Sequence, residues 1–252
     1  MNFEIIDYGF YHKRTTFVSL FIGIFSLLTF ILNFLMVDFL KIVFIILGLF
    51  GIIFFLWPSL GLIIINFMTW NDKSHPTAKL QEIIDLDSPK ILDIGCGTGR
   101  CAIKLAKNLN KGGHVYGIDI FNNAISGNSI QRVQANARID NVESRTTFKY
   151  GSILEIPFPN NFFDVVNIAY VLHEIDEKKQ ALSEIYRVLK SDGWLFITEF
   201  HKRNISTILL NGIYTLFYKN YKYWMKLLEE SYFIDLLYVN TGPIALISCL
   251  KK

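Results

Sequence analysis

Three glycines at alternate positions, Gly95, Gly97 and Gly99, follow an acid, Asp93, in the run Leu92-Asp-Ile-Gly-Cys-Gly-Thr-Gly-Arg100. Apolar residues lead into this run and a helical pattern leaves it, so the glycines sit where a buried strand turns into a helix. Such a turn needs residues without Cβ and lets backbone approach a ligand closely. Asp119 closes the next apolar run, 20 residues after Gly99, where a carboxylate can accept hydrogen bonds from both ribose hydroxyls. The spacing is G-x-G-x-G. Arg100 stands where a dinucleotide fingerprint has its last glycine, which disfavours a dehydrogenase, and no Gly-Lys-Ser/Thr follows to make a phosphate loop. Four polar side chains fall near the ends of later apolar runs: His173 and Glu174, His201, and the weaker candidate Tyr170. A histidine suits general-base work near neutral pH; its plain alternative is packing. No clustered set of metal ligands is present.

The elements that must position these residues alternate. Strands are expected at Lys90–Ile94, His114–Ile120, Thr146–Tyr150, Asp164–Tyr170 and Trp194–Glu199. Helices are expected at Thr77–Leu86, Gly99–Leu109, about Asn122 to Ile139, and Glu177–Leu189, the last closed by Asp192-Gly193. This rhythm means βαβ units and a parallel sheet. Two final strands, Phe233–Val239 and Ile244–Leu250, flank Asn240-Thr-Gly-Pro243, a hairpin signal. The expected fold class is α/β: a Rossmann-like, doubly wound sheet of seven strands with an antiparallel C-terminal hairpin.

In order along residues 77–252, the chain resembles the class I S-adenosylmethionine (SAM)-dependent methyltransferases. The resemblance rests on ILDIGCGTG at 91–99, VYGIDI at 115–120, FKYGSILEIPFPNNFFDVV at 148–166, VLHEIDEKKQALSEIYRVLKSDGWLFITEF at 171–200 and the closing hairpin. It is nearest the branch acting on quinones, other small molecules and lipids. The resemblance implies that SAM is the cofactor. It implies that Asp93 orients the loop and the amino group of the methionine part, and that Gly95, Cys96 and Gly97 line the cofactor with backbone. Asp119 holds the ribose, and Ile120 and Phe121 pack against adenine. Gly151-Ser152-Ile153 aligns where the family often has Gly-Asp-Ala/Val, so serine at 152 departs from the pattern and leaves the adenine contact open. Methyl transfer is an in-line displacement that rests chiefly on proximity. A base is needed only where the acceptor must lose a proton; His173, Glu174 and His201 are the candidates, at the carboxyl ends of the strands.

Composition adds a second theme. Of 252 residues, 52% are hydrophobic and 19% charged, and the apolar excess lies in the first quarter. Phe17–Val37 and Ile42–Met68 are uncharged, and each exceeds the roughly 20 residues that cross a bilayer. They predict a transmembrane helical hairpin over 17–68, between an N-terminal tail (1–16) and a methyltransferase domain (72–252). Pro58 is expected to kink or end the second helix near Trp57. No small-x-small cleavage site follows the first run, so it reads as an uncleaved anchor. Lys13, Arg14 and Lys73 flank the pair, which places both ends and the catalytic domain on the cytoplasmic side of a two-span protein. The net charge of +3 is too balanced for a nucleic-acid partner. Three scattered cysteines, Cys96, Cys101 and Cys249, form no disulfide framework.

Residues 202–232 carry Ile205, Leu209, Ile213, Leu216 and Phe217 at helical spacing, then the aromatic and lysine mixture FYKNYKYWMK at 217–226. That mixture suits a membrane interface and equally a helix packed before the sixth strand. The expectation is a membrane-anchored methyltransferase with a lipid-soluble or membrane-associated acceptor, such as a quinone precursor or phospholipid. A soluble small-molecule acceptor and a catalytically inactive SAM-binding membrane module are the alternatives. Oligomeric state has no signature in the sequence.

Overall fold

A computed structural model describes residues 13–32, 38–70, 87–109, 112–122, 128–200, 208, 212–240 and 244–252. These fall into two compact units. One spans 87–200 and 219–252; the other holds 13–70 and the described part of 201–218.

The first unit is a seven-stranded sheet in the order β3-β2-β1-β4-β5-β7-β6. Its strands are β1 (Lys90–Ile94), β2 (His114–Asp119), β3 (Thr146–Tyr150), β4 (Phe163–Ala169), β5 (Leu189–Phe200), β6 (Phe233–Asn240) and β7 (Ile244–Lys251). The first five pair in parallel, and β7 runs antiparallel between β5 and β6. The order reverses between β1 and β4, where β1 pairs with β2 on one side and β4 on the other. In an open α/β sheet a ligand binds in the crevice at that reversal, outside the carboxyl ends of the strands.

Period-2 alternation sends successive side chains to opposite faces. Ile91, Val115 and Val165 pack with Ala102, Ile103 and Val133, from the helices labelled α4 (Arg100–Asn108) and α5 (Ile130–Ile139). Leu92, Val166 and Leu195 pack with Leu182, Ile185 and Trp224, from α6 (Lys178–Val188) and α7 (Tyr221–Glu230). The expected doubly wound sheet is therefore present.

Several boundaries differ from expectation. Helix α5 is described from Ile130, where the Ser129 side chain accepts the Arg132 N–H as an N-cap; residues 123–127 of the helix expected from about Asn122 lie outside the described residues. Leu189 turns extended directly after α6 and pairs with Phe163 as the first residue of β5. Asp192-Gly193 thus lies inside that strand, at the register shift between the Phe163 and Val165 pairings. The helix expected at Thr77–Leu86 lies outside the described residues.

The second unit contains α1 (Lys13–Leu32), α2 (Asp38–Gly51), a π turn (Ile52–Leu56) and α3 (Trp57–Trp70). Pro58 does not end the helix. A proline leaves the carbonyl four residues back without its donor, and here the Trp57 N–H reaches back to Ile52 O in the wider turn. The π turn takes up the irregularity and the chain continues as helix. Small residues bring α1 against this long helix. A Cβ built at Gly23, Gly48 or Gly51 would fall within 2.6 Å of Leu56, Phe30 or Ser26 respectively. Rising positions on one helix meet falling positions on the other, so the pair is antiparallel. Leu40–Gly61, 22 residues, is long and apolar enough to cross a membrane; Thr16–Leu32 is apolar but shorter. Of the two expected spans, one helix of that length is found among the described residues, and residues 33–37 of the first lie outside them.

Candidate active site

Where β1 ends, the chain turns sharply under the three glycines. Gly95, Gly97 and Gly99 take φ of +68°, +54° and +89°, a region that L side chains rarely adopt. The Gly95 and Cys96 N–H groups both donate to Ile118 O on β2, at 2.8 and 3.1 Å. The Gly97 N–H donates to Asp119 Oδ2 at 2.8 Å, and the Phe121 N–H donates to Oδ1 at 2.7 Å. Asp119 is thus clamped between the glycine loop and the chain that follows β2, at the reversal of the sheet.

Asp93 is buried beneath this loop, 2% exposed. Asn167 Nδ2 donates to its Oδ1 at 2.7 Å, while Oδ2 has no partner among the described residues. Burial dominates and, aided by the Asp119 charge, pushes the Asp93 carboxyl up to about 7, against the opposing bonds from Asn167 and the Ala102 N–H.

The other expected cofactor residues take varied surroundings. Ile120 is 66% exposed beside Asp119, whereas Phe121 is buried and meets the Tyr150 ring edge-on at 5.2 Å. Ser152 Oγ accepts the Leu154 N–H at 3.1 Å in a local turn, and Ile153 is buried in the core. Cys96 is buried, and burial drives its thiol well above the ordinary range, which leaves it without thiolate reactivity.

A second loop meets the first. After β4, Tyr170 adopts φ +58° and its N–H donates to Thr198 O. The Val171 side chain lies against Gly95 so closely that a Cβ there would stand 2.3 Å from Val171 Cγ2. A short 3-10 turn, Leu172–Glu174, then presents His173. His173 Nδ1 stands 2.8 Å from Glu199 Oε2, and its backbone N–H donates to Glu199 Oε1 at 3.3 Å. Glu199 is 1% exposed near the end of β5. Burial opposes charge on His173, yet the bond and charge of Glu199, with Glu174 behind, outweigh it and raise its pKa above the usual value. Glu174 lies farther off, 3.8 Å from Nε2 and half exposed. His201 lies outside the described residues. Glu199 and Asn167 were missed from sequence; the available signal was a polar side chain at an inward position of an otherwise apolar strand.

The FYKNYKYWMK stretch divides. Trp224 is 2% exposed and belongs to the sheet core, while Tyr221 and Tyr223 remain at the surface, with Lys219 over the Tyr223 ring at 5.3 Å.

Comparison with known proteins returns consistent relatives. The methyltransferase-domain family matches residues 85–231. A demethylmenaquinone methyltransferase of Lactiplantibacillus plantarum is 38% identical over 109 residues, 43% of this chain and 44% of that protein. The ubiquinone/menaquinone biosynthesis C-methyltransferase UbiE of Vibrio parahaemolyticus is 34% identical over 113 residues, 45% of this chain and 42% of that one. The chain therefore aligns with less than half the length of these relatives. Among solved structures, a SAM-dependent methyltransferase from Aquifex aeolicus superposes with a TM-score of 0.61 at 20% identity, covering 73% of this chain and 96% of its own.

Proposed function

This chain belongs to the methyltransferase-domain family, and on that premise we propose that it methylates a quinone-type, lipid-soluble acceptor with SAM as donor while anchored in a membrane. The clamp on Asp119 carries the cofactor part of this reading. Its carboxylate is fixed by two backbone N–H groups at the sheet reversal, where a ribose would be held.

Two further observations fit SAM to these residues. The loop beside Asp119 is built from glycines whose conformation excludes side chains, so backbone can approach the cofactor. The buried Asp93 Oδ2 lacks a partner among the described residues, and an ammonium group would satisfy it. When bound, SAM supplies an electrophilic methyl on a sulfonium. The chain's own residues do the rest. The glycine loop and the Val171 turn abut, so cofactor and acceptor groups are brought within one crevice. Neutral His173 takes a proton at Nε2 from an acceptor, while Glu199 holds the ring through Nδ1 and favours the imidazolium that results. Glu199 is thereby a positioning residue, and His173 the candidate base.

Acceptor class and location rest on other grounds. The relatives named for quinone biosynthesis support a quinone precursor, and the Leu40–Gly61 helix with its packed partner α1 supports anchoring. The positive flanks at Lys13, Arg14 and Lys73 favour a cytoplasmic catalytic unit. In this reading α1 and the long helix insert together as a hairpin.

Calorimetry of SAM binding to the detergent-solubilised full chain tests the cofactor site. Asp119→Ala should weaken binding at least tenfold, about 1.4 kcal/mol. Methyl transfer to a demethylmenaquinone then tests the acceptor. Binding without transfer to any quinone or lipid would favour the inactive SAM-binding module, and transfer only to soluble extract would favour a soluble substrate.

A further inference from the structure

The stretch Asn204–Tyr218, NISTILLNGIYTLFY, carries no charge; Lys202 and Arg203 precede it, and Lys219 and Lys222 follow it. It follows β5 in sequence, and its described part groups with the apolar helices of the second unit. Its described turn, Gly212–Phe217, packs on α3 and on the π turn before it. Gly212 is buried there, and a Cβ on it would stand 3.4 Å from Pro58 Cγ and 3.6 Å from Trp57 Cδ2.

The turn is built for a medium poor in hydrogen-bond partners. Thr215, 5% exposed, donates its hydroxyl to Gly212 O at 2.9 Å, so its polar group is satisfied internally. Leu216 and Ile208, by contrast, are 64% and 46% exposed. They belong to the same unit as helices that leave Phe21, Phe25 and Ile46 outward. In water these side chains gain nothing; in acyl chains each recovers the transfer free energy of its apolar surface. Basic residues flank the run in the sequence, a composition that matches anionic headgroups, and the partly exposed Trp57 suits a membrane interface.

We infer that the Gly212–Phe217 turn is a further lipid-contacting element, seated on the Trp57–Pro58 corner of the long helix. Leu216 and Ile208 meet acyl chains. This rests on the anchored reading above and adds that this turn is itself membrane-bound.

The test uses the full chain in vesicles of phosphatidylglycerol and phosphatidylethanolamine, with an environment-sensitive fluorophore on one introduced cysteine. Native thiols compete little, since Cys96 and Cys249 are buried and Cys101 is held in its protonated form by burial. Probes go at Leu216→Cys, at Ile46→Cys in α2, and at Tyr232→Cys, a 76% exposed site on the catalytic unit. Spin-labelled lipids should quench the probe at 216 at least half as strongly as that at 46, and several-fold more than that at 232. Quenching at 46 but not at 216 overturns the inference and leaves the anchor standing. Quenching at neither overturns both. Retained SAM binding verifies folding, and Ile208→Cys replaces Leu216→Cys should the latter misfold.

Discussion

Asn167 and Asp93 stand opposite each other in the parallel register of β1 and β4, and the Asn167 amide donates to Asp93 Oδ1 at 2.7 Å. Both are 2% exposed. A carboxyl in such a place is stabilised in its charged form by only a few donors, which burial outweighs. The sheet core therefore holds, beneath its glycine loop, an acid that burial drives toward its neutral form.

Asp93 makes stability depend on pH with a definite sign. Its carboxyl is raised from 3.8 to about 7, so the folded chain binds more protons than the unfolded one between these values. Below pH 4 both states are protonated and no penalty exists. As pH rises from 4 to 7 the unfolded chain ionises first, and stability falls by on the order of 4 kcal/mol. Asp93→Asn removes this slope. Urea midpoints measured at pH 5 and pH 8 should show the variant gaining on the parent at the higher pH. An unchanged gap between the two would mean that Asp93 does not titrate in this range.

Glu199 favours the charged form of His173, and in the proposed mechanism the ring acts as base in its neutral form. Glu199→Gln should shift the acidic limb of the rate–pH profile to lower pH, since the ring then loses its proton more readily. The rate on the plateau should fall, by about 10²-fold at most, a general-base contribution being on the order of 10²–10⁴. His173→Ala should abolish the acidic limb. A profile that Glu199→Gln leaves in place would reduce the pair to a packing contact.

At Gly99 both conformation and space exclude a side chain. Its φ is +89°, and a Cβ would stand 2.7 Å from Val133 Cγ2 and 2.9 Å from Ile103 Cδ1. Gly99→Ala should destabilise the catalytic unit by about 1–3 kcal/mol and weaken SAM binding, because α4 and the loop must shift. Thermal melting and calorimetry on the same preparation separate the two effects. Parent-like values in both would remove the glycine loop from the argument.

The sheet was largely legible in advance, because short apolar runs ending in glycine or aspartate leave few alternatives. Ile91-Leu-Asp-Ile94 and Val115–Asp119 are strands as their patterns imply, and the structure pairs them in parallel. Where patterns are weak, boundaries were harder to place: the end of α6 runs straight into β5 at Leu189, so Asp192-Gly193 lies inside a strand. Pro58 reads as a helix kink or end from sequence, because propensity is local; the π turn before it, closed by the Trp57 N–H to Ile52 O bond, absorbs it. The pairing of His173 with Glu199 joins residues 26 positions apart and depends on β4 and β5 being neighbours. Sequence supplied the histidine. Its partner needed the fold.

The apolar helices offer a test in which shape, not hydrophobicity, is at stake. In lipid, an outward leucine is as well solvated as a buried one, so helices associate through close packing of small residues. At Gly51 a Cβ would stand 1.7 Å from Ser26 Oγ, and this close approach lies between the Gly23–Leu56 and Gly48–Phe30 approaches. Gly51→Leu should therefore force α1 away from the long helix, although it makes the chain more apolar. A cysteine pair at Phe30 and Gly48 reports the separation through its oxidative cross-linking yield in vesicles. That yield should drop several-fold on adding Gly51→Leu, and stay unchanged on adding Phe50→Leu, whose side chain is 51% exposed. Equal yields in all three proteins would show that the small residues do not hold the pair together. SAM affinity should be untouched throughout, since Gly51 belongs to the second compact unit and every cofactor-binding candidate to the first.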